Sequence, residues 1–194
     1  MTAKLVNDAG YDVYGVDISA EMVALAEANA PDSVFECASL FDVEIPTGVA
    51  VTAVGESINY AFDGRSNNAD LSQLVQQIHE SLEPGGLLML DAAGPDRVDG
   101  QGPHHARLEG PGWELFVTTT VSDDRDTLSR EITLYREEAK LWRRTKELHQ
   151  QRLYTPEMVT ERLLFAGFDV VVLSGYDSLQ FPEGWAGFVG HKRR

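Results

Sequence analysis

The clearest period in the chain runs through "NNADLSQLVQQIHESLEPGG", where Leu71, Leu74, Val75, Ile78 and Leu82 recur at intervals of three and four. That spacing places them on one face of a helix. Asn67, Asn68 or Asp70 can cap its start, and Pro84-Gly85-Gly86 stops it. "LLMLDAA" follows as an unbroken apolar run, which is how a strand buried on both faces reads. Upstream, "TAKLVNDAGYD" has the form of the last turns of a helix ended by Gly10, and "VYGVD" that of a short strand closed by Asp17. "AEMVALAEANA" is a helix capped by Ser19, with Glu21 in its first turn and Pro31 just past its end. "VFECAS" and "VAVTAVG" are two further strand candidates, separated by the loop "LFDVEIPTG". Toward the end, "TPEMVTERLLFAG" has Thr155 as cap, Pro156 at the first helical position and Gly167 as stop. "FDVVVLSGY" and "GWAGFVGHKR" supply two closing strands. Strands alternating with helices imply a mostly parallel sheet covered on both sides.

Two stretches break this rhythm. Residues 94–112, "GPDRVDGQGPHHARLEGPG", are dense in Gly and Pro with no apolar period, so they are expected to form a loop. Residues 113–154 fit two patterns equally. Propensity allows one charged helix, whereas alternation allows three antiparallel strands turning at Asp123-Asp124 and between Glu137 and Lys140.

Composition acts mainly by exclusion. At 194 residues, 43% apolar and 24% charged, the chain matches one ordinary globular domain long enough to bury its own core. No apolar run approaches the ~20 residues of a membrane helix, and no basic-then-apolar leader opens the chain, which points to the cytoplasm and no membrane partner. A formal charge of −15 disfavours nucleic acid. Cys37 is the single cysteine, so no intramolecular disulfide or multi-cysteine zinc site can form, and no metal is expected.

In an open parallel sheet ligands bind beyond the carboxyl ends of the strands. The candidates are therefore Asp17-Ile18, Ser39-Leu40, Gly55-Glu56-Ser57 and the loop after Ala93. Asp17 alone has two readings: a strand-end residue that helps cap the next helix, or a carboxylate whose two oxygens accept from the vicinal diol of a nucleotide ribose. Imidazole titrates near neutrality, which makes His104, His105 and His149 candidates for moving a proton or touching a substrate.

The order of the pieces carries more than any one of them. "AGYDVYGVDISAEMVALAEANA", "VFECASLFD", "VTAVGESINY", "ESLEPGGLLMLDAAG", "LLFAGFDVVVLSGY" and "GFVGHKR" together resemble the class I S-adenosylmethionine-dependent methyltransferases over nearly the whole chain. The resemblance implies an α/β fold, a doubly wound, mostly parallel Rossmann-like sheet in one domain over residues 1–194. It also implies an antiparallel β insertion over residues 113–154, which favours strands there. It implies S-adenosylmethionine as cofactor, with Asp17 on the ribose, Ile18 and Met22 along the adenine, and Ser39 and Leu40 near the ring edge. Gly55, Glu56 and Asn59 would border the methionine moiety, and Tyr60 would face the substrate with His149, Arg152 and Tyr154 at the site mouth. Catalytic candidates are Tyr60, His104 and His105, and the acceptor would be a small molecule. The family's first strand and glycine-rich turn find no counterpart. The resemblance therefore implies a chain truncated at its N-terminus, with weak or no cofactor binding as written. A non-catalytic Rossmann-like binding module and an NAD-dependent oxidoreductase remain as other readings, and the oligomeric state is open.

Overall fold

A computed structural model describes residues 2–60, 71–98 and 102–194. The predicted caps Asn67, Asn68 and Asp70 lie outside the described residues. Helix α1 spans Thr2–Asp8, strand β1 Tyr14–Asp17, helix α2 Ala20–Asn29, strand β2 Val34–Cys37 and strand β3 Gly48–Ala53. Helix α3 covers Leu71–Ser81 and strand β4 Leu82–Ala93. Four antiparallel strands follow: β5 (His104–Gly110), β6 (Trp113–Val121), β7 (Thr127–Glu138) and β8 (Leu141–Arg152). Helix α4 (Pro156–Phe165) leads to β9 (Phe168–Leu173), the short pair β10 (Gly175–Tyr176) and β11 (Leu179–Gln180), and β12 (Trp185–Lys192).

The apolar periods form the elements they announce. Leu71, Leu74, Val75 and Ile78 are the buried side of α3, and α4 buries Val159 and Leu163. Thr155 caps α4 by accepting the Met158 N–H at 3.3 Å, and Gly167 ends it with a φ of +101° that glycine adopts without Cβ strain. Helix α3 stops at Ser81, ahead of Pro84, because a residue before proline is driven out of the helical region. The Lys192 ammonium donates to the carbonyls of His79 and Leu82 at 2.7 and 2.6 Å, satisfying acceptors that the helix end leaves open.

The sheet order is β3-β4-β12-β9, with β3 parallel to β4 and β12 antiparallel to both β4 and β9. Its core face sets Ala53, Leu88, Leu90, Ala92, Phe168 and Phe188 against α3 and α4 in one cluster. On the opposite face Leu87 and Val171 remain exposed. Strands β1 and β2 form a separate parallel pair. Among the described residues β1 and β3 thus each have one strand neighbour. Between α1 and β2 only Val23 and Ala30 are buried, whereas Leu5, Leu25 and Val34 are exposed.

The expected loop 94–112 is largely structured. Pro95–Arg97 form a 3-10 turn, and residues 104–110 are an edge strand whose pairing with β6 overrides its Gly and Pro flanks. The antiparallel unit consequently has four strands, ordered β5-β6-β7-β8. Ala139 and Lys140, both at positive φ, make the two-residue hairpin between β7 and β8.

Truncating Leu163, fully buried, to Ala should cost about 2–5 kcal/mol. Leu25→Ala, at a site 55% exposed, should cost less than about 0.5 kcal/mol. Urea unfolding midpoints check both, and a reversed ranking would move the core to the N-terminal elements.

Candidate functional site

Strand β4 ends in Asp91, Ala92 and Ala93, and Asp91 is buried on the face away from α3 and α4. A buried carboxylate needs donors, and three reach it. The Gly55 and Glu56 N–H groups donate at 2.9 and 2.6 Å, and the Tyr176 phenol at 3.1 Å. Burial, reinforced by the Asp91 charge and hydrogen bond, raises the Tyr176 phenol well above its ordinary value. The same contacts hold the turn after β3, where Gly55 and Glu56 both take left-handed backbone at φ +82° and +60°. Glycine accepts that conformation readily; Glu56 does so under strain, which the bond to Asp91 offsets.

The left-handed turn points the Glu56 side chain inward, where it is buried. Its Oε1 accepts from Arg97 Nε at 3.2 Å. Its Oε2 accepts from Gln151 Nε2 at 3.0 Å and lies 3.5 Å from Arg130 Nη1. Register explains the convergence. Leu128 pairs with Gln151 and Arg130 with His149, so Arg130, His149 and Gln151 share one face of the antiparallel sheet. Tyr60 bridges Gln151, and its ring meets His149 edge-on at 6.2 Å. Burial is the largest influence on the Tyr60 phenol and raises it, so Tyr60 is a protonated donor at neutral pH.

Asn59 is fully committed to structure. Its Nδ2 donates to the carbonyls of Ala93 and Arg152 at 2.9 and 2.6 Å, and its Oδ1 accepts the Ala93 N–H at 3.0 Å. It ties three segments together through both ends of its amide. Arg152 pairs in register with Thr127, which places it on the face opposite Gln151. Tyr154 is buried in the main core cluster. His104 and His105 stand on β5, where alternation sends them to opposite faces. His104 shares a row with Thr119, Arg130 and His149 at the sheet edge, and His105 Nδ1 lies 3.1 Å from Thr118 Oγ1 on the other side. Only His104 faces the Glu56 side.

A second group surrounds the end of β1. Asp17 Oδ1 accepts the Ser19 N–H at 2.8 Å, and Ser19 Oγ in turn accepts the Met22 N–H at 3.2 Å, capping α2. Asp17 therefore shapes the turn and remains an exposed carboxylate, so its two readings coexist. Ile18 and Met22 are 50% and 52% exposed, so Met22 does not serve the helix core. The ends of β1 and β2 are tied by the Ala38 N–H to the Asp17 carbonyl at 3.1 Å. Ser39 is buried and accepts the Phe41 N–H through Oγ at 3.2 Å, while Leu40 packs on the main core. Ser39 thus organises the turn after β2. Among the described residues no three His, Cys, Asp or Glu side chains converge as a metal site.

Residues that sequence reasoning passed over hold the centre: Asp91, Arg97, Arg130 and Gln151. Asp91 alone carried a signal, as a carboxylate inside a continuous apolar strand.

Residues 1–90 match a family described as a methyltransferase domain. No curated protein matches the chain in sequence. Solved structures match it in fold. An S-adenosylmethionine-dependent methyltransferase from Clostridium acetobutylicum is 16% identical, with a TM-score of 0.79, over 95% of this chain and 76% of that one. A sugar N-methyltransferase from Streptoalloteichus is 24% identical, with a TM-score of 0.72, over 93% and 71%. An amino pentose methyltransferase from Micromonospora echinaspora, solved with S-adenosylmethionine bound, is 18% identical, with a TM-score of 0.72, over 97% and 78%.

Asp91→Ala should destabilise the fold by roughly 2–4 kcal/mol, since it leaves three donors without their charged acceptor. The raised Tyr176 phenol holds its proton in the folded state where an unfolded tyrosine, near 10, has lost it. Its contribution is therefore complete below about pH 10 and is lost as pH rises further. In Asp91→Asn that alkaline loss should shrink, as urea melts between pH 8 and 11 would show.

Proposed function

We propose that this chain, a class I S-adenosylmethionine-dependent methyltransferase by fold, transfers a methyl group from S-adenosylmethionine to a small-molecule acceptor. The observation that carries this reading is Asp17: an exposed carboxylate at the carboxyl end of β1, next to the exposed apolar side chains of Ile18 and Met22. The donor set fits the cofactor. Two carboxylate oxygens match the ribose diol, and the Ile18 and Met22 surfaces suit the flat face of adenine. Bound, the cofactor supplies an activated methyl on sulfur, so alignment and exclusion of water are the protein's main task.

The residues after β3 and β4 provide for alignment. Asp91 fixes the Gly55-Glu56 turn, and Asn59, which ends the 3-10 turn Ser57–Asn59 that follows it, is bonded to Ala93 and Arg152. Tyr60, kept protonated, meets the His149 ring edge-on beside Gln151, on the Glu56 side of the antiparallel sheet. Two structural neighbours are named for work on sugars, which supports a small polar acceptor.

Calorimetric titration with S-adenosylhomocysteine tests the assignment. Saturable binding is expected, with Asp17→Ala weakening it by roughly 10-fold or more, the loss of a charge-assisted pair of hydrogen bonds. Tight NADH binding that depends on Asp17 would instead support an oxidoreductase. No binding of either would leave a non-catalytic module.

A further inference from the structure

Two guanidinium groups converge on one carboxylate. Arg97 and Arg130 both contact Glu56, whose side chain is only 7% exposed, while theirs are 27% and 20% exposed. The carboxylate thus lies beneath and the cations reach outward. Glu56 and, beneath it, Asp91 together match the two positive charges, but both carboxylates are buried and the guanidinium groups are the part of the cluster that faces outward.

Arg97 is held in place from behind. Its guanidinium lies 5.3 Å from the Trp185 ring centre, and Trp185 stacks on Phe181 at 5.7 Å with the planes 8° apart. Phe181 meets Tyr176 edge-on at 4.7 Å, and Tyr176 donates to Asp91. This aromatic ladder fixes one fork to the same carboxylate that fixes the Glu56 turn. Arg130 stands on β7, in register with His149. A preorganised arginine pair is the arrangement that recognises a planar or tetrahedral oxyanion, because each fork offers parallel N–H donors.

Two buried atoms point to a ligand as well. Gln151 is fully buried and gives Nε2 to Glu56, but its Oε1 has no partner among the described residues, and neither does the Trp185 Nε1–H. One is an acceptor and the other a donor, both on residues that touch the arginine cluster. Buried polar atoms seldom stay unpaired. A molecule with both an anionic group and an N–H or O–H supplies partners for each.

We infer that Arg97 and Arg130 form a receptor for an anionic group, carboxylate or phosphate, on the acceptor, so that the acceptor is a small anionic compound. The word "acceptor" rests on the methyltransferase reading; the anion site itself does not.

Inorganic phosphate and acetate are titrated into the full chain at constant ionic strength, followed by the arginine Nε–Hε resonances, with and without S-adenosylhomocysteine. Saturable binding of at least one anion is expected, and the tighter of the two identifies the source as phosphate or carboxylate. Arg97→Met and Arg130→Met should each weaken it by ~10-fold or more, and Arg97→Lys, which keeps the charge but loses the fork, by less. Affinity for S-adenosylhomocysteine should change by less than ~2-fold, since a group that touches only the acceptor adds nothing to cofactor binding. Absence of saturable anion binding by the wild-type chain, with its thermal melt intact, overturns the inference. So does a parallel loss of S-adenosylhomocysteine affinity in both Met variants, which would give the arginines to the cofactor's carboxylate. A wild-type chain that binds phosphate but not S-adenosylhomocysteine sinks the methyltransferase reading and leaves the anion site standing.

Discussion

The candidate site depends on one buried carboxylate. Asp91 sits in the most enclosed strand of the mixed sheet, where an unpaired charge would cost several kcal/mol. Paired, it holds two left-handed residues after β3 and the phenol of Tyr176, segments far apart in sequence. The opposite strand accommodates this. Gly187 pairs with Asp91 in register, and a Cβ there would lie 2.8 Å from the Phe181 ring. A larger residue at 187 would push away Phe181, and with it the ladder that runs from Tyr176 to Trp185 and Arg97. The geometry around Glu56 thus follows from where β4 places one side chain and what β12 leaves out.

The N-terminal elements are built on a different balance. Residues 2–37 contribute Val23 and Ala30 to the buried set and expose most of their larger apolar side chains. Among the described residues strand β1 pairs only with β2, and β3 only with β4, so each offers a row of backbone groups to further pairing. What ties the small pair to the rest is the stretch after β2. Leu40, Phe41 and Ile45 pack on the core, and Ser39 receives the Phe41 N–H, with its carbonyl accepting from Asp42 and Val43 at 3.1 Å each.

Legibility in the sequence followed the range of the interactions. Helices α3 and α4 were legible because period, cap and stop are all local, and β4 because a strand buried on both faces needs no partner to be recognised. Strand β5 was not legible: "HHARLEG" alternates weakly, and only its pairing with β6 makes it a strand. The antiparallel unit itself was undecided between helix and strands until resemblance tipped it. Within the site the failures have one cause. A residue on an antiparallel strand faces the site or turns from it by a shift of one, and register is set by hairpins and partners rather than by local composition. Hence Gln151, and not Arg152 beside it, shares the face that meets Glu56, and alternation divides the histidine pair. For Asn59 the neighbourhood was legible but its three hydrogen bonds to distant backbone were not.

On the methyltransferase reading, the two groups divide the labour and rest on supports of unequal strength. The Glu56 group stands on the main core and is fixed by buried hydrogen bonds. The Asp17 group stands on a two-stranded pair with few buried contacts. Methyl transfer needs donor and acceptor aligned to a fraction of an ångström, so the weaker support governs the rate. Any opening of the β1–β2 end would then be reversed at the expense of ligand binding, lowering apparent affinity by the population that is open. Strengthening the join at Leu40, Phe41 and Ile45, rather than adding contacts around Glu56, is therefore the change that would raise affinity at Asp17.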